Sequence, residues 1–151
     1  MKMYNITIRK IREDNNLTCE DIANKLSVSS SIYRRWENNI ITIPTKRLIE
    51  LANIYEVNID FLLGLTDKKY HIKSKLINKK LMSKRLRQIR NEHGESLRIF
   101  CKRLNTSNST WHAYESGKTI ILCSFLIQMC IESGYSADWI LGRSDIEFID
   151  K

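Results

Sequence analysis

The chain is predicted to be all-α, with two tandem five-helix domains, and three observations support this prediction. Residues 7–67 align without a gap on residues 85–145, and 14 of these 61 pairs are identical. One Pro and five Gly leave little turn chemistry for a β-rich fold. Apolar residues also recur at the three- and four-residue spacing of amphipathic helices. Each repeat, at roughly 65 residues, is long enough to enclose a small core of its own.

Apolar spacing and capping residues predict the first three helices of repeat one. Residues 5–14 form the first. Thr18 opens the second, with Asp21 three residues later as in a capping box. Ser29 is the N-cap of a third helix that runs to about Asn38. The second and third helices are therefore short and separated by a tight turn.

The last two helices of repeat one are marked by residues that favour helix ends. Pro44 suits the first position of a fourth helix, whose apolar residues lie within 47–55. Asn58 can cap a short fifth helix, and Gly64 is a suitable residue just beyond its end.

Repeat two follows the same plan. Its first helix ends at Gly94, Ser96 and Ser107 cap the second and third, the fourth ends near Gly134, and Ser136 caps the fifth. Ten short helices and no strand are expected.

The predicted domain boundaries follow from the repeat. Residues 1–67 are the first domain, 68–82 a basic linker, 83–146 the second domain and 147–151 a tail. No Gly or Pro lies between Gly64 and Gly94, so the linker is predicted to continue helically into the second domain.

The net charge of +8 is unevenly placed, because residues 71–82 carry four lysines and no acidic residue. Lysine displaces counterions from phosphate, so this segment suits a polyanionic partner. A solvated, solubilising segment is the alternative that charge alone leaves open.

Several classes of protein are disfavoured by the remaining composition. Residues 1–14 lack the apolar segment of a secretory signal, and the most apolar stretch, 119–131, is too short to span a bilayer. The four cysteines and three histidines have no zinc-site spacing, so reduced thiols in a cytoplasmic protein are expected. No nucleophile–base pair, metal-ligand cluster or phosphate-binding glycine loop is present, so neither enzymatic activity nor a cofactor is expected.

The second and third helices carry a recognisable pattern of residues. In repeat one it runs Leu17-Thr18-Cys19-Glu20-Asp21-Ile22-Ala23-Asn24-Lys25-Leu26-Ser27-Val28-Ser29, then Ile32-Tyr33-Arg34-Arg35-Trp36-Glu37-Asn38, with the ending Leu62-Leu63-Gly64-Leu65-Thr66-Asp67. Repeat two matches through Ser96, Leu97, Leu104, 107–115, Gly117 and 140–145. These residues resemble the phage-repressor (Cro-type, or XRE) helix-turn-helix family, here as two tandem copies. The resemblance implies lambda-repressor-like domains that place their third helix in the DNA major groove.

The resemblance places base-reading residues at the start and outer face of each third helix. Arginine can bond guanine bidentately and asparagine suits adenine, whereas serine can bond base or phosphate. The base-reading candidates are Ser29, Ser30, Ser31, Arg34 and Arg35 in repeat one, and Ser107, Asn108, Ser109 and His112 in repeat two. Repeat two has Ala113 in place of Arg35, so its third helix reads a different sequence, reads weakly or has another task.

Phosphate contacts are expected where the second helix begins, because its first amide groups are free to bind an anion. The phosphate candidates are Thr18, Lys46, Arg47, Ser96 and Lys118. Repeat one has Asn39-Ile40-Ile41 where the family commonly has Gly and cations.

One charged pair occurs in each repeat, at corresponding positions, and both pairs are interpreted as structural. The resemblance implies that Arg12 pairs with Glu37 and Arg90 with Glu115, across the first and third helices. The aromatic residues of the third helices fall on the apolar face at helical spacing, so core packing is favoured over base stacking. They are Tyr33, Trp36, Trp111 and Tyr114.

The fourth helix of repeat two is apolar nearly all round, over residues 120–131. Such a helix should be buried on more than one side. A homodimer through this helix is the preferred interpretation, and packing between the repeats is the alternative.

The leading functional hypothesis is a cytoplasmic, sequence-specific double-stranded DNA-binding regulator of transcription, by family analogy a repressor. Half-sites about 34 Å apart would suit two tethered reading helices, as direct or inverted repeats. The alternative is a protein-interaction module, antitoxin-like or antirepressor-like, in which repeat two serves dimerisation or partner binding.

Overall fold

The computed structural model describes residues 3–150, with side chains from Thr7 onward, and its secondary structure confirms the all-α prediction. Within this range there are ten helices, and the one β-type pairing is an isolated bridge between Tyr135 and Phe148. The helices of repeat one are α1 (Met3–Asp14), α2 (Cys19–Leu26), α3 (Ser30–Glu37), α4 (Thr45–Tyr55) and α5 (Ile59–Leu62). Those of repeat two are α6 (Lys79–Glu92), α7 (Leu97–Leu104), α8 (Asn108–Glu115), α9 (Cys123–Ser133) and α10 (Ala137–Ile140).

The two repeats have the same backbone plan, residue for residue. Each of α2 to α5 begins and ends at the positions that correspond to α7 to α10 at the offset of the sequence repeat. The left-handed residues after the second helices also correspond, with φ of 57° at Ser27 and 56° at Asn105. This conformation ends each second helix abruptly and makes the tight turn to the third possible.

Side-chain caps account for several of the predicted helix starts. Thr18 Oγ1 accepts from Asp21 N at 3.0 Å, while the Asp21 carboxylate accepts from Thr18 N at 2.8 Å. Ser29 Oγ accepts from Ile32 N at 3.2 Å and so fixes the first turn of α3. Pro44 lies one position before the predicted place, as the N-cap of α4.

The predicted helical linker is wrong for residues 68–78, because helix α6 begins only at Lys79. Side chains of repeat one bond to the backbone of this segment instead. Asn58 Oδ1 accepts from Tyr70 N at 3.0 Å, and Asn53 Nδ2 donates to Lys75 O at 2.9 Å. Ile72 is buried. These contacts stabilise a non-helical path along the surface of repeat one.

The residues predicted as a tail also pack against the fold. Ser136 N donates to Glu147 O at 2.7 Å, and Ile149 N donates to Gly134 O at 3.0 Å. Lys68 Nζ lies 2.9 Å from Asp150 Oδ1, which links this segment to the start of the linker.

The short helices α5 and α10 pack together and join the repeats through a reciprocal pair of buried hydrogen bonds. Asp60 Oδ1 accepts from Ala137 N at 2.7 Å, and Asp138 Oδ2 accepts from Ile59 N at 2.8 Å. Each carboxylate therefore caps the first turn of the other repeat's last helix. Because corresponding residues make the same contact in both directions, the interface is isologous. The contact between α5 and α10 therefore has approximate two-fold symmetry.

One buried cation breaks this symmetry. Arg143 of repeat two corresponds to Leu65 of repeat one. Its Nη1 atom lies 2.6 Å from Asp138 Oδ1, and both side chains are fully buried. Its Nη2 also donates to Asn53 Oδ1 at 2.7 Å, which ties the interface to α4. Asp60 has an oxygen, Oδ2, that is buried without a hydrogen-bond partner among the described residues. Of the two buried carboxyl groups, Asp138 is therefore paired with a guanidinium group and Asp60 is not paired with a cation of the described residues.

The apolar face of α9 is covered within the chain. Its buried residues belong to one hydrophobic core that contains side chains from both repeats, and they are Cys123, Leu126, Ile127, Met129 and Cys130. Thr45 Oγ1, on α4, donates to Ile121 O just before α9 at 2.6 Å. Packing between and within the repeats thus explains the composition of this helix, and the predicted homodimer loses the observation on which it was based.

The buried carboxyl group of Asp60 predicts a contribution to stability that falls as pH rises. Burial raises the pKa of Asp60, whose carboxyl group forms no ion pair with the described residues. An unfolded aspartate has a pKa of about 3.9, so the folded state keeps this proton to a higher pH than the unfolded state does. The contribution is complete below about pH 4 and is lost as pH rises through the raised folded pKa. Asp60→Asn should therefore reduce the fall in urea unfolding free energy as the pH is raised from about 4. An unchanged fall would contradict this assignment.

Candidate nucleic-acid interface

Helix α3 is held on the domain by its aromatic face. Tyr33 and Trp36 are buried, and their rings meet edge to face with centroids 6.2 Å apart. In α8 the corresponding residues Trp111 and Tyr114 are buried in the same way, 5.4 Å apart. Core packing thus occupies all four rings, and the opposite faces of α3 and α8 point away from the core.

The ion pair of repeat one connects α1 to the end of α3. Arg12 Nη2 lies 2.7 Å from Glu37 Oε1, and Arg12 Nε donates to Glu37 Oε2 at 3.0 Å. Burial alone raises the pKa of Glu37, but bonding to Arg12, Tyr33 and Arg9 lowers it below its usual value. Arg12 Nη1 also donates to Leu17 O at 2.8 Å, just before α2. One arginine therefore sets the positions of three helices.

Repeat two contains the same pair, with Trp111 as a further donor to the carboxylate where repeat one has Arg9. Arg90 donates to both oxygens of Glu115, at 2.8 and 2.9 Å, and Trp111 Nε1 donates to Glu115 Oε2 at 2.7 Å. The structure therefore brings together both charged pairs that the sequence predicted to be structural. Neither pair is available to a ligand.

The outward face of α3, defined as Ser29, Ser30, Ser31, Arg34 and Arg35, lies on the protein surface. Ser30 is partly exposed and the other four residues are exposed. Arg34 Nη1 donates to Ser30 Oγ in a long bond of 3.4 Å. The two guanidinium groups therefore stand on the protein surface beside three hydroxyl groups.

The outward face of α8, defined as Ser107, Asn108, Ser109 and His112, is exposed throughout. Ser107 Oγ caps the helix by accepting from Thr110 N at 3.1 Å, as Ser29 does in α3. This face presents an amide and an imidazole but no guanidinium group. The difference between the two faces is one of chemistry, since the helices correspond in position.

The starts of α2 and α7 differ in charge, although the phosphate hypothesis treated Thr18 and Ser96 alike. In α2 the first turn carries Glu20 and Asp21, which disfavour an anion. At the corresponding positions α7 has the exposed Arg98 and Ile99, and its first turn has no acidic residue. The start of α7 therefore suits phosphate better. Sequence reasoning missed Arg98, which the alignment of the two repeats could have identified.

The remaining phosphate candidates are unequal. Lys46 and Lys118 are exposed. Arg47 donates to Leu26 O at 2.9 Å and to Glu50 Oε2 at 2.9 Å, so it stabilises the end of α2. In repeat one the position of Lys118 is taken by the exposed Ile40, which cannot bind phosphate.

None of the helices within residues 3–150 is both long and apolar enough to cross a membrane.

Comparison with known proteins finds similarity in the first repeat. Residues 5–68 match the family model of a helix-turn-helix domain. A protein of Bacillus subtilis (strain 168), named as the uncharacterized HTH-type transcriptional regulator YobD, is 37% identical over 65 residues. That match covers 43% of this chain and 58% of the relative's length. No solved structure matches the chain significantly. Residues 5–68 are therefore similar to a helix-turn-helix domain, and α2 and α3 correspond to the two helices that its turn joins.

Proposed function

We propose that the protein is a sequence-specific double-stranded DNA-binding regulator of transcription that acts as a repressor. The observation that carries this proposal is the outward face of α3, which presents arginine and serine side chains from the second helix of a helix-turn-helix motif. The relative's name, an HTH-type transcriptional regulator, supports the same class. Neither enzymatic activity nor a cofactor is part of the proposal, and its place of action is the cytoplasm.

The arrangement of the repeats supports the use of one chain as a complete reading unit. The reciprocal bonds between α5 and α10 hold two corresponding helices, α3 and α8, in one molecule. A second chain is not needed to bury α9. Repression then follows from occupancy of the duplex, which blocks access of other proteins to the same site.

The first test is the loss of the two arginines of α3. The double variant Arg34→Ala, Arg35→Ala should bind its selected duplex roughly 10-fold or more weakly, because each bidentate contact to guanine contributes about 1–3 kcal/mol. Fluorescence anisotropy at two salt concentrations measures this change. The wild-type chain should also lose affinity steeply as salt is raised.

A matched control removes two positive charges from the first helices of the repeats. The double variant Lys10→Ala, Lys84→Ala leaves α3 and α8 unaltered, and both lysines are exposed. It should keep most of the affinity. Equal losses in the two double variants would mean that net charge, rather than the face of α3, determines binding.

A protein-interaction module remains the second candidate, favoured by the absence of arginine from the outward face of α8. In that case the affinity for duplex DNA would depend only weakly on salt concentration. Neither the arginine double variant nor the lysine double variant would alter that affinity. A homodimer through the ends of α9, where Leu122 and Ile131 are exposed, would appear as a second species in sedimentation.

A further inference from the structure

We infer that a single chain recognises an asymmetric operator, made of two unlike half-sites in inverted orientation. This inference rests on the proposed function and concerns the same two helices. It specifies the orientation of the half-sites, their difference in base content and the number of chains bound.

The orientation follows from the inter-repeat interface. Asp60 bonds to the start of α10, and Asp138 bonds to the start of α5, so the operation that maps repeat one onto repeat two also maps repeat two onto repeat one. Only a rotation of about 180° has this property. A head-to-tail arrangement, which direct repeats in DNA would require, would join two different surfaces instead. Two reading domains that are related by a two-fold axis bind half-sites in inverted orientation.

Buried polar contacts also oppose a change of this orientation. Both aspartates and Arg143 are buried, and Arg143 bonds to Asp138, to Asn53 of α4 and to Ser74 O of the linker. The contact therefore joins both repeats and the segment between them. A change of orientation would break the hydrogen bonds of both aspartates across the interface.

The difference between the half-sites follows from three positions. The serines at the first and third outward positions are shared, since Ser29 and Ser31 correspond to Ser107 and Ser109. The outward pairs that differ are Ser30 with Asn108, Arg34 with His112 and Arg35 with Ala113. Arginine favours guanine and asparagine favours adenine. Repeat one should read a guanine-containing half-site, and repeat two an adenine-containing one.

The charges around α7 compensate for the weaker side-chain readout by repeat two. The exposed Arg98 and Lys102 stand where repeat one has Glu20 and Asn24, and Lys118 stands where it has Ile40. Arg103 is instead bonded to Glu95 and Glu132. Repeat two thus has more cations available for phosphate, which adds affinity with little sequence dependence. Repeat one then supplies most of the sequence preference.

Selection of bound fragments from random duplex DNA tests the inference on the complete chain. The wild-type protein should select two unlike blocks in inverted orientation, with centres about 10 base pairs apart. Sedimentation of the complex should show one chain per duplex. Two blocks in the same orientation, a single block, or two chains on one palindrome would overturn the inference and leave the proposed DNA binding intact. Failure to select any duplex would overturn the proposed function itself.

Exchange of the outward residues gives a sharper version of the test. The triple variant Asn108→Ser, His112→Arg, Ala113→Arg gives α8 the outward side chains of α3, without altering a buried residue. It should select an inverted repeat with two like, guanine-containing halves, and bind the wild-type operator roughly 5- to 150-fold more weakly. The reverse variant, Ser30→Asn, Arg34→His, Arg35→Ala, should select two like, adenine-containing halves. An unchanged, asymmetric selection by both folded variants would overturn the assignment of the half-sites to these residues. Selection with the wild-type chain tests the orientation independently of how well the variants fold.

Discussion

Replacement of Asp138 by asparagine is expected to lower the free energy of unfolding by about 3–5 kcal/mol, because it leaves the buried Arg143 without its carboxylate. Arg143 and Asp138 are both fully buried, at a separation of 2.6 Å. The remaining bonds of Arg143, to Asn53 Oδ1 and Ser74 O, are to neutral acceptors. Burial lowers the pKa of Arg143, but an arginine guanidinium group is not deprotonated in proteins, so it cannot escape this loss by releasing its proton.

The equivalent substitution at Asp60 is the matched control. Asp60→Asn makes the same chemical change in the same buried interface. However, no cation of the described residues lies within ion-pair distance of the Asp60 carboxyl group. The asparagine oxygen can still accept from Ala137 N. The loss should therefore be clearly smaller than for Asp138→Asn. Urea unfolding at pH 8 measures both variants, and equal losses would contradict the asymmetric role given to Arg143.

Replacement of Glu37 by alanine is the second substitution with a large expected effect, again about 3–5 kcal/mol. Glu37 is almost fully buried and accepts from Arg12 at 2.7 and 3.0 Å and from Arg9 at 3.2 Å. Its removal leaves the guanidinium group of Arg12, which is only slightly exposed, without an acceptor on α3 and with the neutral Leu17 O as its remaining acceptor. The Glu37→Ala variant should show both a lower midpoint of thermal unfolding and weaker binding to DNA, because the pair of Arg12 with Glu37 sets the position of α3.

An acidic residue on the surface of α1 serves as the control for Glu37. Asp14 pairs with Lys10 at 3.4 Å, and both side chains are largely exposed. Such surface pairs contribute little to stability, so Asp14→Ala should unfold almost as the wild-type chain does. If Glu37→Ala also unfolded at the wild-type midpoint, the pair with Arg12 would not be a structural one.

Much of the fold could be predicted from the sequence because its local signals agree with each other. The capping residues Thr18, Ser29 and Ser107 lie next to helix starts, and apolar spacing identifies the faces that carry Tyr33 and Trp36. Such signals depend on neighbouring residues only, so a linear reading detects them. The internal repeat then provides each element a second time.

The parts that could not be predicted depend on contacts between distant residues. Residues 68–78 lack helix breakers, yet Asn53 and Asn58 bond to their backbone and hold them in a non-helical path. Asp60 of α5 and Asp138 of α10 lie in the segment that ends both repeats. Each accepts a hydrogen bond from a backbone amide of the other helix, and these bonds form only when the repeats are in contact. The apolar composition of α9 similarly predicts burial without indicating which surface provides it.

The exposure of the outward face of α3 could be predicted from the sequence, but the availability of the individual cations could be predicted less well. The outward face of α3 lies exposed where the family resemblance placed it, whereas Arg47 is bonded to Leu26 O and Glu50. The contribution of Arg98 becomes visible only when α7 is compared with the acidic start of α2. These charges are local in the sequence, so alignment of the two repeats could have identified them, whereas the motif alone does not specify them.

Guanine-methylation interference on the selected duplex tests the central claim most directly, because a methyl group on N7 blocks the bidentate contact of arginine with guanine. For the wild-type chain, methylation of guanines in the half-site of repeat one should prevent binding. For the Arg34→Ala, Arg35→Ala variant, methylation of the same guanines should no longer matter. Identical interference patterns for the two proteins would show that the outward face of α3 does not read the bases.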